Sequence, residues 1–536
     1  MANFPIFGLE RPAVLSFSIV VGVSFAIYLV AITIHRLFFH RISHIPGPKL
    51  AAVTYYYQSY YDFFPHQGQF LFKLEELHKK YGPIVRIGPD EVHVNDAKFY
   101  KEMYGSSTHK RNKSPIWYWM HGLGAVGDQS MFITLDHDHH RLRKAGLGTY
   151  FSKRKVQELE PRVREKVLLL RQRLLERTGG APVNLKDAFG GMALDIITQY
   201  CFNRCFGALD RQDLGRELNQ LMGVGVKINP LGRTFPTLAR TVIRLPKWAL
   251  SWSGLVSTTG EFLDLADRLS SEARNEAIRD LAEGKYSKTD DADSRTVLHS
   301  MMRSDVLPPH EKTEKRLQAD GMTLIAAGFD TTSRTLTVVF YHLLTKEHIR
   351  ARVLEEIRTL MPTPTSPLPT VAQLEQLRYL TCVIHEGTRL AHGVAGRLVR
   401  IAPEEDLEYH SPFDGRQYTI PRGTTFGQSS YLVHMDESIY PNAAEFDPDR
   451  YWSDDGKPTD AQRYLVPFGK GTRMCSGINL AFAELYLTIA ALVGTVDMKI
   501  APGTTEHDVT VVQELFVGVL PDNPGVRVNV VGELQA

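Results

Sequence analysis

Phe468-Gly469-Lys470-Gly471-Thr472-Arg473-Met474-Cys475-Ser476-Gly477, patterned F-x-x-G-x-R-x-C-x-G, is the stretch on which the reading of this chain turns. It sets one cysteine on a glycine-rich loop just before the apolar run Ile478-Asn479-Leu480-Ala481-Phe482-Ala483. A cysteine at a helix N-terminus has its thiolate stabilised by free backbone N–H groups and by the positive end of the helix dipole. Glycines on either side let the backbone approach a flat ligand closely. Arg473 places a cation two residues away, where it can pair an anionic ligand group. A lone cysteine is ordinarily an inert packing residue. Here Phe468, the glycines and Arg473 stand around it at fixed spacings, which favours a ligand.

Upstream by about 145 residues lies a second informative stretch. The pattern predicts a helix over 311–344, about 50 Å long at a rise of about 1.5 Å per residue. Its centre reads Ala327-Gly328-Phe329-Asp330-Thr331-Thr332. Glycine, aspartate and two threonines weaken the interior of an apolar helix, and local rule-breaking of this kind tends to mark functional sites. A threonine hydroxyl can bond the carbonyl four residues back and bend the helix. An acid beside an alcohol can relay protons. The cysteine loop resembles the haem-binding loop of the cytochrome P-450 family, and the helix resembles that family's (A/G)-G-x-(D/E)-T-(T/S) oxygen-activation motif.

The resemblance covers about 45–530 and implies a mainly helical α+β fold, with one large helical domain and a smaller β-rich region. It implies haem b (iron protoporphyrin IX) as cofactor, with Cys475 as the axial iron ligand and Phe468, Gly469 and Gly477 shaping its loop. It assigns Asp330 and Thr331 to proton delivery. Glu386-Gly387-Thr388-Arg389 is E-x-x-R on an apolar helix from Leu380 to Leu390, and the i,i+3 spacing lets acid and guanidinium pair. Phe446-Asp447-Pro448-Asp449-Arg450 is similar to the family's P-E-R segment, with aspartate for glutamate. The resemblance then implies a structural triad of Glu386, Arg389 and Arg450. For the haem propionates it implies His139 and Arg143 from His139-His140-Arg141-Leu142-Arg143, together with Arg400 and Arg473; Arg397 rivals Arg400.

The remaining features are consistent with this reading. The chain has 536 residues, a net charge of +2 and four cysteines. That charge gives no argument for nucleic acid, and so few cysteines argue against a disulfide framework. Cys201 and Cys205 have no second pair to complete a zinc site and are expected to pack. Ala13 to Ile34 holds no charge over 22 positions, about 33 Å as a helix, enough to span a bilayer. A cleaved signal peptide competes with this, but the apolar run continues past Ser24-Phe25-Ala26 and Glu10-Arg11 lacks net positive charge. The expected organisation is an anchor over 1–40 and a catalytic domain over 45–536. His35, Arg36, His40, Arg41 and Lys49 follow the span, which places the body on the cytosolic side of the endoplasmic reticulum membrane. Asn112-Lys113-Ser114 is then a chance sequon.

Ile45-Pro46-Gly47-Pro48 forms a stiff elbow after the anchor. Ile84–Ile87 and Glu91–Val94 predict a β-hairpin with alternating faces, and further helices are expected at 154–176 and 260–283. The loop 361–369 is a linker, and strands return at Gly518–Leu520 and Val526–Val530. By the family resemblance, Ser114–Met120, Leu324, Ala327, Phe329 and Gly393–Gly396 would wall the distal pocket, a roomy apolar one. Pro46–Ala52, Tyr55–Tyr61 and His78–Ile87 resemble the fungal microsomal members of secondary metabolism, the group containing trichodiene oxygenase. That implies terpenoid or polyketide-type substrates, although Ala391–Gly396 departs from the group. The implied reaction is hydroxylation or epoxidation with O2. The resemblance implies electrons from NADPH through a flavoprotein reductase, with cytochrome b5 as an optional second donor. No Gly-rich dinucleotide fingerprint follows a strand in this chain. Two alternatives stay open: a haem-thiolate isomerase or dehydratase of an oxygenated lipid, and a non-catalytic haem sensor.

Overall fold

A computed structural model describes residues 11–105, 108–116, 129–227, 229–243, 296–521 and 525–535, with parts of 268–283. Most of the helix expected at 260–283, and Trp117–Met120 of the expected pocket wall, lie outside the described residues.

The long helix runs from Glu314 to Thr345. It starts later than the pattern suggests because Pro308 and Pro309 lead into a separate 3-10 turn, Pro309–Glu311. It packs chiefly on Leu185–Phe202, and also on Arg378–Ala391 and Ile478–Thr495. Leu185–Phe202 is apolar almost all round and almost wholly buried, as a helix at the centre of a domain must be. Asn184 caps its first turn by accepting from the Lys186 and Asp187 amides. Lys153–Leu175, close to the expected 154–176, is capped by Ser152 and packs on the same bundle. Ile478–Thr495 is apolar enough to cross a membrane, but 78% of it is buried in the core.

Among the described residues the strands form four small sheets. Five strands run in the order Ile84–Gly88, Glu91–Val94, Thr425–Gly427, Arg400–Ile401, Asn112–Lys113. The expected hairpin is present, with Ile84 opposite Val94. It differs from the expectation in burying both faces. Ile84, Val92 and Val94 enter one apolar cluster, while Val85 and Ile87 enter another beneath helix Phe70–Tyr81. The C-terminal strands are present as the pair Gln513–Leu515 and Val517–Val519, and as Arg527–Glu533 between Val183–Asn184 and Val496–Ile500. The Asn112–Ser114 sequon is structural: Asn112 Oδ1 accepts from the His137 amide at 2.8 Å, and Ser114 is buried against Thr425.

Arg11–Ile34 is helical, and the apolar stretch Ser16–Phe39 has none of its length buried against the body, as a membrane anchor requires. Arg41 grips the Asp90 carboxylate at 2.8 and 2.9 Å, and Arg86 donates to the Arg36 carbonyl at 2.8 Å. At the elbow, a Cβ on Gly47 would lie 2.3 Å from the Arg86 carbonyl oxygen, so only glycine fits. Cys201 is buried in the core as expected, but Cys205 is exposed, because the chain leaves the bundle at Asn203 in the left-handed conformation.

Candidate active site

The cysteine loop is built by its glycines. Gly469 and Gly471 have φ of +66° and +76°. A Cβ on Gly471 would fall 1.8 Å from the Tyr104 carbonyl oxygen, which excludes every other residue. The turn closes where the Cys475 amide donates to the Phe468 carbonyl at 2.9 Å. Phe468 itself packs on Phe482, 5.5 Å between ring centroids, and Gly477 caps the helix that follows. Cys475 has accessible surface although its helix is core. That surface faces a protein-walled cleft, so desolvation still pushes the thiol up. The Gly477 amide and the Lys144 ammonium pull the other way, toward thiolate.

The middle of the long helix shows the same anomaly. Ala326 and Ala327 are exposed, while the stretch Thr332–Leu343 beyond is buried. Thr331 Oγ1 donates to the Ala327 carbonyl at 2.9 Å, the bond anticipated from its position. Asp330 is paired with Arg334 one turn later, at 2.8 Å. Burial alone would raise the Asp330 carboxyl, but Arg334 and, further off, Lys186 outweigh it and hold the group below its ordinary range. Phe329, expected in the pocket, is instead in the core at 3% exposure, because it lies on the opposite face from Ala327. The segment Gly393–Arg400 borders both surfaces. A Cβ on Gly393 would sit 3.5 Å from Thr331 Cγ2, and one on Gly469 would sit 3.9 Å from Leu398 Cδ1.

Cations gather along this cleft. Arg400 is buried and donates to the Val399 carbonyl at 2.9 Å, with no carboxylate in reach among the described residues. Burial holds its guanidinium below the ordinary value. Arg473 donates to the carbonyls of Thr134, Leu135 and Asp136, and its Nε is left without an acceptor. Burial and the nearby Arg400 push it down to about 9. His140 is buried with Nδ1 unpartnered, driven down to about 2 by burial and by Arg473. Arg400 and Arg473 are buried near one another with only the Asp136 carboxylate to offset Arg473, which is costly. The donor set fits a flat ligand that carries carboxylates at its edge and takes a thiolate at its centre. Arg397, the rival to Arg400, is committed elsewhere, to Glu91 at 2.6 Å and to Gln58.

His139 and Arg143 do not join this set. Both bind Glu311, His139 at 2.6 Å and Arg143 at 2.8 Å, in a knot completed by Arg316 and Asp320. The face of helix His137–Gly146 turned to the cysteine loop carries His140 and Lys144, one residue further on. Lys144 donates to the Thr472 and Met474 carbonyls at 3.0 and 3.2 Å. Lys470 is half-buried and donates to the Arg463 carbonyl at 2.8 Å.

The knot has a pH signature. Burial would raise Glu311, but Arg143 and His139 prevail and hold it at about 2. A carboxyl depressed in the folded state adds stability above its unfolded value, and that stability is lost as pH falls toward the folded one. Glu311→Gln is therefore expected to melt below the parent protein at pH 7. The gap should close as pH falls from about 4.5 toward 2, read as Tm against pH.

Glu386, Arg389 and Arg450 meet as expected. Arg389 binds the Glu386 carboxylate through two nitrogens at 2.8 and 2.7 Å, and Arg450 Nε joins at 3.1 Å. The Asp447 amide and the Tyr451 hydroxyl also donate to the Glu386 carboxylate, at 2.9 and 3.1 Å. Arg389 also donates to the carbonyls of His434, Ala443 and Glu445, tying the E-x-x-R helix to the segment that leads to the cysteine loop.

The chain is also similar to known proteins over most of its length. The family model described as Cytochrome P450 matches residues 46–525. The chain is 84% identical over 513 residues to a protein of Acremonium sp named cytochrome P450 monooxygenase ucsK, covering 96% of this chain and 98% of the other. It is 36% identical to cytochrome P450 monooxygenase tpcC of Cochliobolus heterostrophus, over 96% of each chain. It is 33% identical to cytochrome P450 monooxygenase TRI4 of Fusarium sporotrichioides, over 96% and 95%.

Proposed function

The chain belongs to the cytochrome P450 family of haem-binding monooxygenases, and on that premise we propose that it hydroxylates or epoxidises a hydrophobic secondary metabolite, terpenoid or polyketide-type, at the cleft between Cys475 and Thr331. Electrons reach it from NADPH through a separate flavoprotein reductase. Residues 1–40 anchor it in the endoplasmic reticulum membrane, and 45–536 form one catalytic body on the cytosolic side. The observation that carries this reading is the pair of accessible surfaces, Cys475 and Ala326–Ala327, inside an otherwise packed body and beside buried cations. The fungal relatives, each named a cytochrome P450 monooxygenase, support the monooxygenase activity.

Haem bound in this cleft supplies an iron centre that binds and activates dioxygen. Cys475 Sγ would supply the thiolate that holds the iron, and the Gly477 amide together with Lys144 favours its anionic form. Arg400 and Arg473 would hold the propionates, joined by His140 and Lys144 in place of His139 and Arg143. Thr331 Oγ1 uses its proton on the Ala327 carbonyl, which leaves its lone pairs to accept from water. Asp330, held ionised by Arg334, accepts a proton from the solvent side and passes it on. Leu324, Ala327 and Gly393 leave the wall small and apolar beside the reacting face.

Thr331→Ala tests the relay. With reductase and NADPH, electron consumption should persist while product per NADPH falls by about tenfold and peroxide rises, since proton delivery is worth at most about 10²–10⁴-fold and water replaces part of it. An unchanged product yield would favour a rearrangement enzyme, which has no use for a relay.

A further inference from the structure

Arg334 lies one turn beyond Asp330 on the long helix and is 2% exposed. A guanidinium buried that deeply must be satisfied internally. One of its terminal nitrogens donates to Asp330 Oδ2 at 2.8 Å, and the other donates to the carbonyl of Gly518. Gly518 belongs to strand Val517–Val519, which pairs with Gln513–Leu515 so that Leu515 faces Val517. The single residue joining these strands is Phe516, with φ of +83°. A non-glycine residue in that region costs on the order of 1–3 kcal/mol and persists only where its surroundings over-determine it.

The surroundings do so here. The Phe516 carbonyl accepts from the Ala395 and Gly396 amides at 3.1 and 3.0 Å, and the Gly518 amide donates to the His392 carbonyl at 3.1 Å. The Phe516 ring lies 5.8 Å from that of Phe132, in an apolar group with Ile133, Leu398 and Val399. The strained turn is thus fastened to the segment that borders Thr331, and its ring packs in one cluster with Leu398, which stands beside Gly469 of the cysteine loop. Arg334 is the buried link between that turn and the acid.

We propose that Arg334 is a positioning residue that couples the Phe516 turn to the Asp330 carboxylate, so that an apolar ligand pressing on the aromatic wall and the acid of the proton relay share one bridge. This rests on the monooxygenase reading above, since only there does Asp330 have a proton to move. Lysine is a poor substitute. Its ammonium is a single point at the end of a flexible stem and lacks the fork that reaches a carboxylate and a carbonyl on separate elements.

Optical titration of the full-length holoprotein with phenylimidazole and with imidazole tests this. Both ligate the iron through nitrogen, and only the first presses a ring on the cavity wall. Arg334→Met should weaken phenylimidazole by about tenfold and leave imidazole within about twofold, whereas Asp330→Asn should weaken phenylimidazole by about threefold. The double variant should be no weaker than Arg334→Met alone, because two residues sharing one bridge are not additive. Equal losses on both probes, or additive losses, would overturn the coupling. If Arg334→Met yields no holoprotein, Arg334→Lys carries the test, since it keeps the Asp330 pair and gives up Gly518. A phenyl-selective loss of about threefold is then expected, and no selective loss overturns the proposal. The reduced carbon monoxide spectrum separates the two levels of failure. Absence of a thiolate-type band in the parent protein contradicts the monooxygenase reading, whereas an intact band with unselective probes contradicts the coupling alone.

Discussion

Cys475→Ser is expected to remove the thiolate-type absorption of the reduced carbon monoxide complex and to lower NADPH-dependent product formation by more than about 10³-fold, or about 4 kcal/mol of barrier. Serine preserves the loop. Its amide still reaches the Phe468 carbonyl, and Gly469 and Gly471 still turn as required. What changes is the donor. A hydroxyl beside the Gly477 amide and Lys144 stays protonated where a thiol ionises, so the electron push of the sulfur is lost. Cys201 and Cys382 are buried with their thiols pushed up, Cys382 to about 12, and cannot stand in. Cys382→Ser should therefore keep the thiolate-type band, and a Cys475→Ser protein that also kept it would place the ligand elsewhere.

Glu386→Ala is expected to cost about 3–5 kcal/mol and to leave little holoprotein. The Glu386 and Arg389 side chains are 0% exposed and that of Arg450 is 6%. Truncating the acid strands two guanidiniums, the Asp447 amide and the Tyr451 hydroxyl away from water. Domains of ordinary stability hold only about 5–15 kcal/mol in reserve. Glu386→Gln keeps an acceptor oxygen and should be milder. Because the triad braces the loop and does not touch the reacting face, the surviving holoprotein should keep the parent's ratio of product to NADPH. Thermal melting and haem content report the first effect, and coupling reports the second. A coupling defect with normal stability would contradict a structural role.

Much of this was readable from spacing. The cysteine loop needs glycines at 469 and 471 for backbone reasons that hold in any context, and E-x-x-R fixes an i,i+3 pair within one helix. The Asp330–Thr331 pair broke helix propensity and pointed to the interior surface at Ala327. Register at the propionate helix was not readable. His137, His139 and His140 crowd one short helix, successive residues point about 100° apart, and only packing decides that His140 and Lys144 face the loop while His139 and Arg143 turn to Glu311. Arg400 and Arg397 could not be separated without knowing that Glu91 lies opposite Arg397, across 306 residues of chain. The hairpin's alternation was real, yet one face hides beneath a helix that the pattern could not place. Arg334 carried a signal that went unused, since i,i+4 from an acid is the commonest helical ion-pair spacing. Phe516 carried none, because its strain is a property of the turn.

The most direct test is turnover under isotopically labelled dioxygen. The holoprotein is combined with an NADPH-dependent reductase and with whichever terpenoid or polyketide scaffold converts its spectrum from low to high spin. One labelled atom in the product, absent when NADPH is withheld, is the expected result. A product formed without label and without NADPH would contradict the monooxygenase assignment and leave a rearrangement at the same thiolate site.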